Sequence, residues 1–298
     1  MLDLLIKLTK MNSFTTVEQK ENLSYQEFVQ EYLKKRIPVV FKNASSAWKS
    51  NTIFTPSFFS EKFGDYKTWS GGQEYTMNEI LNLTEKSTAE TPAPYPILFE
   101  IPKQLPELMQ LFKPLHMNYA RPNWFSSDIL PYGQYGKAVH LFIGGKGNQY
   151  SLHNDAYHTN AWVTQLYGQK KFIVFPHGQD EYLYAGKTGI TKFISPINIL
   201  NPDYEKYPDY KKATPIEVVL NPGDTIFIPN GVWHTTVALG QNITLIVDQL
   251  NKSNFKAWKQ DIFEVKKNHG KFKAQIHYAF ANSVGNIFKA AELFGARF

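Results

Sequence analysis

The segment SLHNDAYH, residues 151–158, combines two histidines with an aspartate. In a β-strand, side chains two positions apart point to the same face, so His153 and Asp155 would converge while Asn154 points away. Two imidazoles and one carboxylate on one side of a metal ion form a facial triad that leaves coordination positions open. The segment therefore indicates a metal site that needs one more histidine. A polar strand end without a metal is the simpler alternative.

The candidate for the third ligand is His234, which lies in NPGDTIFIPNGVWHTTVAL at 221–239. Two turn signals, Asn-Pro-Gly at 221–223 and Pro-Asn-Gly at 229–231, enclose a short apolar strand, and His234 begins the next strand. A histidine just after such a turn is well placed to reach the mouth of a barrel. Taken alone, His234 fits a hydrogen-bonded core histidine equally well.

The composition is that of a globular chain. The 298 residues are 43% hydrophobic and 15% aromatic, and a run of about 18 uncharged apolar residues is missing, so we expect no membrane-spanning helix. The first residues, MLDLLIKLTK, lack the pattern of a secretory signal, and we expect a cytoplasmic protein. The sequence contains no cysteine, which excludes disulfides, thiolate metal ligands and a cysteine nucleophile.

The net charge of +6 comes from the end of the chain. Residues 251–298 contain nine Lys or Arg and three acidic residues, whereas residues 1–250 contain 23 of each and are neutral. Three uses of this basic tail are open: a helical interface, nucleic-acid binding and attachment to a membrane surface. A single arginine makes nucleic acid the less favoured choice, and membrane attachment needs a more polarised basic face.

Short strands separated by Gly, Pro, Asn and Asp dominate residues 136–250 and predict a mainly β fold, an antiparallel barrel or double-sheet jelly roll. An irregular insertion at 177–215 interrupts these strands, and we expect it on the surface. Residues 1–135 alternate short helices and strands, which we expect to flank the barrel. The predicted barrel strands are 137–145, 160–168, 170–176, 216–224, 225–230, 233–239 and 242–250.

Two peripheral helices are predicted in the C-terminal extension, residues 251–298. Each has an apolar stripe at helical spacing, which packs on its own domain or on a partner helix. The stripe of the first helix consists of Phe255, Trp258, Ile262 and Val265, and that of the second of Phe272, Ile276, Phe280, Val284, Ile287 and Ala291.

Three motifs taken together resemble one protein family. HND at 153–155, GQKKFIVFP at 168–176 and NPGDTIFIPNGVWHTT at 221–236 are similar to the cupin-like jumonji C class of Fe(II)- and 2-oxoglutarate-dependent oxygenases. The similarity covers residues 25–250 and implies a double-stranded β-helix, the cupin barrel. Within that class, NPDYEKYP at 201–208 resembles the factor-inhibiting-HIF branch of asparaginyl hydroxylases.

The resemblance implies that His153, Asp155 and His234 bind Fe(II), and that 2-oxoglutarate and dioxygen take the remaining metal positions. It implies hydroxylation of an amino-acid side chain in a protein or peptide, with release of succinate and CO2. Demethylation and tRNA modification, known among relatives, are alternatives. Two others are a metal-dependent cupin enzyme that does not use 2-oxoglutarate and a non-catalytic metal-binding module.

The resemblance also implies residues that bind 2-oxoglutarate. Lys170 matches the lysine that binds its distal carboxylate, and strand alternation sends only one of Lys170 and Lys171 inward. Tyr150 stands where the family commonly has a threonine, and its phenol can donate the same hydrogen bond. Asn160 is the candidate for the family's pocket asparagine. Asp248 stands where the asparaginyl hydroxylase has an asparagine.

Two further expectations concern the rim and the assembly. His158 either faces substrate at the rim of the site or is a hydrogen-bonded surface histidine, which we favour. The asparaginyl hydroxylase ends in helices that form a homodimer, so the resemblance implies a homodimer through the C-terminal helices. The sequence does not reveal which side chain enters the site.

Overall fold

The computed structural model describes residues 14–48, 52–112, 121–127, 129, 139–268 and 270–296. The predicted segment boundary at 135 lies outside these residues and stays a prediction. In chain order the strands are β1 (Glu18–Lys20), β2 (Val39–Phe41), β3 (Lys67–Ser70), β4 (Gln73–Thr76), β5 (Ile97–Glu100), β6 (Val139–Gly144), β7 (Gln149–His153), β8 (Asn160–Tyr167), β9 (Lys170–Phe175), β10 (Ile216–Leu220), β11 (Thr225–Ile228), β12 (Trp233–Ala238) and β13 (Asn242–Gln249).

The strands form two main sheets. The larger has the order β1-β2-β11-β8-β13-β6-β5 and the smaller the order β10-β9-β12-β7, while β3 and β4 form a separate hairpin. All pairs in the main sheets are antiparallel except β1 with β2. Between β6 and β13 the chain passes back and forth between the sheets, as in a double-stranded β-helix. The predicted mainly β jelly-roll fold with peripheral helices is confirmed.

Side-chain alternation along β8 divides the core into two layers. Ala161 and Val163 point inward and pack with Phe172 and Val174 of β9, which joins the two sheets. Trp162 points to the outer face, where it packs with the N-terminal helices in a second cluster. Because full burial of a Phe, Val or Leu contributes about 1.5–3 kcal/mol, these two layers fix the relative position of the sheets.

The helices are short except at the C-terminus. Thr55 and Thr76 cap two of them through hydrogen bonds to backbone N–H groups, and Thr76 forms a reciprocal capping box with Glu79. The helices are α1 (Tyr25–Glu27), which continues as a π-helix over Phe28–Leu33, α2 (Pro56–Phe63), α3 (Met77–Glu85), α4 (Ile101–Gln104), α5 (Leu108–Leu111), α6 (Phe255–Lys267) and α7 (Lys271–Leu293).

The insertion at 177–215 does not lie only on the surface, as the sequence had suggested. Its residues Leu183, Ile197 and Tyr210 are buried in an apolar cluster against the outer face of the smaller sheet. Ile194 forms a β-bridge with His153, so the insertion extends that sheet beyond the edge of β7. The aromatic and aliphatic residues that attach the insertion to the sheet follow no helical or strand period. Hydrophobic periodicity therefore could not predict that the insertion is partly buried.

The C-terminal helices pack on the barrel through a different face of α7 from the predicted one. The buried side of α7 consists of Ala274, Ala281, Val284, Gly285 and Phe288. The face with small residues is the buried one because α6 and α7 approach closely. A Cβ on Gly285 would overlap the ring of Phe255 on α6. Most of the predicted stripe of α7, Phe272, Ile276, Phe280 and Ile287, is exposed. In the described part of the chain, none of the helices is long and apolar enough to cross a membrane.

Candidate metal centre

The two histidines of the candidate site lie on neighbouring strands of the smaller sheet. His153 is the last residue of β7, and His234 is the second residue of β12, directly opposite it in the antiparallel register. Their ring centroids are 4.2 Å apart. The Pro-Asn-Gly turn at 229–231 starts β12 at Trp233, so the turn sets which residue of that strand faces His153.

Asp155 reaches the site by a route that strand alternation did not predict. Strand β7 ends at His153, and Asp155 lies beyond it at the start of a 3-10 turn, Ala156–His158. Its Oδ1 is 3.7 Å from Nε2 of His153 and 4.0 Å from Nε2 of His234. The three ligand atoms all lie within 4.8 Å of one another, as a shared metal ion requires. The predicted residues thus come together, and the turn is what positions the carboxylate.

The hydrogen bonds of both imidazoles leave their Nε2 atoms available for a metal. Nδ1 of His153 donates to the carbonyl of Ser151 at 2.8 Å, and Nδ1 of His234 donates to the carbonyl of Val232 at 3.1 Å. Since a carbonyl only accepts, the proton is on Nδ1 and Nε2 carries the free electron pair. Burial lowers the pKa of each imidazole to about 4, so both are neutral at physiological pH.

The carboxyl group of Asp155 has no protein counterion that satisfies it fully. Burial raises its pKa, an effect that His153 partly opposes, and its buried Oδ2 has no hydrogen-bond partner among the described residues. An unpaired buried carboxylate is costly, whereas a divalent cation between Asp155, His153 and His234 would satisfy it. The donor set of two neutral imidazoles and one carboxylate therefore fits a metal such as iron.

A cavity of about 460 Å³ surrounds these three residues inside the barrel. Its walls combine aromatic and aliphatic side chains with a few polar groups, the usual character of a small-molecule site. The residues lining it include Tyr95, Leu98, Phe142, Tyr150, His153, Asp155, Lys170, Phe172, Ile190, Phe193, Ile194, His234, Thr236, Thr244 and Asp248. Three of them, Ile190, Phe193 and Ile194, come from the insertion.

Lys170 is the inward-facing lysine of its pair. It is only 3% exposed and lines the cavity, whereas Lys171 points outward to Glu217, 3.1 Å away. Lys170 has no ion pair with any residue that the structure describes, and burial alone lowers its pKa to about 7. An ammonium group in this position is stabilised when an anion enters the cavity.

Hydroxyl groups from other strands share the cavity with Lys170. Tyr150 of β7 lines the cavity, as expected, and burial raises its pKa. Tyr95 precedes β5 in the segment before the barrel; burial raises its pKa, and a hydrogen bond with Thr236 acts in the opposite direction. Thr236 and Thr244 line the cavity as well. Only the inward alternation of β12 and β13 could have pointed to these threonines, and no sequence signal pointed to Tyr95.

Asn160 does not line the cavity, which corrects the prediction for this residue. Strand alternation turns it away from Ala161, which does face the cavity. Its Oδ1 accepts hydrogen bonds from the backbone and side-chain N–H groups of Asn230, at 2.9 and 3.0 Å, and its Nδ2 donates to Gln249. Asn160 therefore holds the turn that precedes His234.

Asp248 places a second carboxyl group in the cavity. It lies near the end of β13, opposite Ala161 of β8. Burial and the nearby carboxyl group of Asp155 raise the pKa of Asp248 well above its usual value. Its side chain has no hydrogen-bond or ion-pair partner within the described ranges, so a hydrogen-bond acceptor or a cation in the cavity would find it available.

The turn that carries Asp155 is braced by helix α6. Tyr157 and His158 both adopt left-handed backbone angles, φ 60° and 53°, which cost energy in non-glycine residues. Asp261 of α6 accepts a hydrogen bond from Nδ1 of His158 at 2.5 Å and one from Lys192 of the insertion. Burial acts to raise the pKa of Asp261, but these two hydrogen bonds outweigh it and hold the pKa below its usual range. His158 is thus a hydrogen-bonded residue of the scaffold, as favoured above.

Comparison with known proteins agrees with this geometry. The profile of the cupin-like domain matches residues 72–248, which is more than half of the chain and includes strands β5 to β13 except the last residue of β13. The chain belongs to the cupin-like family. This match supports the expected cupin barrel and the wider relationship to jumonji-type proteins. The relationship to the asparaginyl hydroxylase branch stays a prediction.

Three relatives illustrate the range of this relationship. Arginine-specific demethylase JMJ22 of Arabidopsis thaliana is 22% identical over 294 residues, which is 93% of this chain and 57% of the relative. Lysine-specific demethylase JMJ21 of the same plant is 26% identical over 80% of this chain and 26% of the relative. The 2-oxoglutarate and iron-dependent oxygenase JMJD4 of Gallus gallus is 29% identical over 46% of this chain and 33% of the relative. The chain thus spans less than two thirds of each of these proteins.

We expect Asp155→Ala to abolish metal binding in the cupin-like barrel while preserving the fold. Removal of one of three ligands should weaken Mn(II) binding by at least about 100-fold, more than changes around a metal site usually cause. The metal-free variant should unfold at the temperature of the wild type or higher, because a desolvated carboxyl group is lost. Calorimetric titration and thermal unfolding measure the two quantities. His140→Gln, which alters another histidine of the cavity wall, is the control; unchanged Mn(II) affinity in Asp155→Ala would refute the site.

We expect Lys170 to give the ligand-free protein a specific dependence of stability on pH. Burial lowers its pKa from the ordinary 10.5 of a lysine to about 7 in the folded state, so the unfolded chain holds the proton more tightly between these two pH values. The destabilisation is fully present below pH 7, declines as the pH rises above 7 and disappears above about 10.5. Lys170→Met should therefore have a higher Tm than the wild type near pH 7, by an amount that shrinks with rising pH. Lys171→Met should show no such trend, and a Tm difference independent of pH would contradict the assignment.

Proposed function

We propose that this protein is an Fe(II)- and 2-oxoglutarate-dependent oxygenase that hydroxylates an amino-acid side chain in a protein or peptide. The observation that carries the proposal is one cavity that contains the group of His153, Asp155 and His234 together with the buried Lys170, which has no ion pair among the described residues. The first set fits a divalent metal and the second an anion. A dicarboxylate that approaches the metal with one end and the lysine with the other satisfies both.

In this proposal several polar groups of the cavity have a defined role. Lys170 binds the distal carboxylate of 2-oxoglutarate, and Tyr150, Thr236 and Thr244 are available to donate hydrogen bonds to it. His153, Asp155 and His234 would hold the iron, which would supply the activation of dioxygen coupled to oxidation of 2-oxoglutarate to succinate and CO2. The apolar walls around Phe142 exclude water from the reacting groups.

The substrate enters beside the insertion. Ile190 and Ile194 line the cavity and are 51% and 44% exposed, so they form an apolar rim that a side chain can cross. The residues that line this rim favour no single amino acid. The motif at 201–208 resembles asparaginyl hydroxylases, which makes asparagine one candidate.

Demethylation of a cationic side chain is the second candidate function. Asp248 offers a carboxyl group inside the cavity, close enough to Asp155 for their charges to interact, and a methylated guanidinium or ammonium group would complement it. Two relatives are named as arginine- and lysine-specific demethylases. Hydroxylation of an N-methyl carbon, followed by loss of formaldehyde, requires no cofactor beyond those of the first candidate.

A mass-shift screen tests the proposal. Protein loaded with Fe(II) without oxygen is mixed with 2-oxoglutarate, oxygen and peptides that contain asparagine, methylated arginine or methylated lysine. We expect succinate above background and a peptide that gains one oxygen, or loses one methyl group if demethylation is the reaction. Lys170→Met should lose most of its 2-oxoglutarate binding, measured without oxygen, because the buried anion loses its counterion.

The outcomes separate the alternatives. Metal binding without succinate formation would leave a non-catalytic metal-binding module. Turnover of a substrate without consumption of 2-oxoglutarate would indicate another type of cupin enzyme. Unchanged 2-oxoglutarate binding in Lys170→Met, with Lys171→Met as the matched control, would remove the role given to Lys170.

We also propose a homodimer formed through helix α7. Its outer face exposes Phe272, Ile276, Phe280 and Ile287 at 77%, 55%, 43% and 57%, a contiguous apolar row at helical spacing. A second copy can cover this row with its own, because two-fold symmetry brings the same helix face to both sides of an interface. The resemblance to an enzyme that dimerises through its terminal helices supports the same partner.

The test of this dimer is a charge placed in the apolar row. We expect the wild type to sediment as a dimer, and Ile276→Glu with Phe280→Glu to sediment as a monomer with an unchanged circular dichroism spectrum, since two desolvated carboxylates would face the partner. Gln275→Glu, an exposed position of the same helix outside the row, should stay dimeric. A monomeric wild type across the measurable concentration range would exclude the interface.

A further inference from the structure

A second concave surface lies away from the metal centre, between the N-terminal helical segment and the C-terminal helices. It is a groove of about 880 Å³ whose lining contains five cationic side chains and no acidic one. The cations come from distant parts of the sequence: Lys34, Arg36, Lys256, Lys259 and Lys289. Uncharged hydrogen-bonding residues, Asn230, Ser253, Gln260 and Tyr278, line the same groove.

None of the five cations of this basic groove forms an ion pair in the part of the chain that the structure describes, although Lys289 lies close enough to Glu292 for their charges to interact. Lys34 donates to the uncharged Gln30, and Lys259 donates to the uncharged Asn282. By contrast, Lys35, next to Lys34 in sequence, pairs with Glu31. The acid-free lining is therefore not a general property of this surface, because the neighbouring residues do form ion pairs.

The acidic residues of the C-terminal extension, Asp261, Glu264 and Glu292, do not line the groove. Asp261 bonds to His158 and Lys192 at the metal centre, and Glu264 lies 3.8 Å from Lys267. Glu292 accepts a hydrogen bond from Nε1 of Trp124 at 2.5 Å. Residues 251–298 contain nine basic and three acidic residues, so a positive excess remains, and three of the lysines face the groove.

Two of these lysines are held over one aromatic ring. Nζ of Lys259 lies 5.5 Å and Nζ of Lys289 5.0 Å from the centroid of the Phe255 ring, one from each C-terminal helix. Phe255 is buried and therefore fixed, so both ammonium groups are kept near the same place. Like charges gathered in a concave surface raise its potential and attract anions.

We propose that the basic groove binds the phosphate backbone of a nucleic acid strand. A nucleic acid carries its charges along one continuous line, so a single groove can contact several successive phosphates. In an extended acidic peptide, successive side chains point to opposite sides, and only half of the carboxylates face one groove. Lysine ammonium groups, one arginine and uncharged amide and hydroxyl donors are the usual partners of phosphate oxygens.

This site is separate from the cavity that holds the candidate metal ligands. The two surfaces have no lining residue in common. Binding in the groove therefore does not depend on iron, on 2-oxoglutarate or on the proposed reaction. The binding measurement can succeed or fail independently of the turnover experiment above.

The test uses the full chain without added metal and a short fluorescent single-stranded RNA, with DNA of the same sequence, inorganic polyphosphate and poly-glutamate as further probes. Fluorescence anisotropy is measured at several salt concentrations. Each neutralised phosphate of a single strand contributes about −0.7 to the slope of log K against log salt, so five contacts predict about −3.5. Lys259→Gln with Lys289→Gln should reduce this slope by about 1.4 and weaken binding.

The matched control is Lys271→Gln with Lys273→Gln, which removes the same charge from the exposed start of α7 outside the groove. Its affinity and slope should stay at the wild-type values. Lys34→Gln with Lys256→Gln, two exposed positions, repeats the test if the first pair alters the fold. Equal losses in groove and control variants, absence of RNA and DNA binding, or tighter binding of poly-glutamate would each overturn the proposal; binding of polyphosphate alone would overturn the nucleic-acid assignment.

Discussion

The cost of burying charged groups in the barrel is the constraint on which the site depends. Asp155 and Lys170 both lie in the interior, and among the residues that the structure describes neither has a counterion that satisfies it. Desolvation destabilises the charged form of each, which shifts their pKa values in opposite directions. A fold that keeps such groups must gain free energy elsewhere, and the two packed layers of the sheets are where apolar burial is largest.

The surroundings of the cavity keep these groups in place. Asn160 holds the turn before His234, and Asp261 holds the strained turn after Asp155 together with the insertion. The C-terminal helices are therefore part of the site's support as well as an outer layer. Because buried hydrogen bonds to charged groups are strong and directional, this support fixes the carboxylate without a regular strand beneath it.

Charged side chains inside the barrel and on the outer surface are arranged in different ways. Inside the barrel, Asp155 and Lys170 face the cavity as isolated charged groups, and one ligand atom or ion can compensate each of them. On the outer surface, the basic groove gathers cations from both ends of the chain where solvent screens them, so their burial costs little and their combined potential is large. The exposed apolar row of α7 adds a third surface with a different chemistry.

The sequence by itself determined the jelly-roll fold and the residues of the metal centre. Strands with alternating apolar residues and strong turn signals favour a barrel or jelly roll. His153, Asp155 and His234 follow from the resemblance that the three motifs carry together, because spacing alone left a core histidine equally possible at 234. Alternation also identified Lys170 as one of two possible inward lysines.

Tertiary structure decided what depends on contacts between distant residues. It turned Asn160 away from the cavity, brought in Tyr95 and Thr236, and buried the small-residue face of α7 instead of its larger apolar stripe. It also joined Arg36 to the lysines of the tail. Local pattern sets the direction of a side chain within its own element, but which neighbour it meets is set by the packing of elements far apart in the chain.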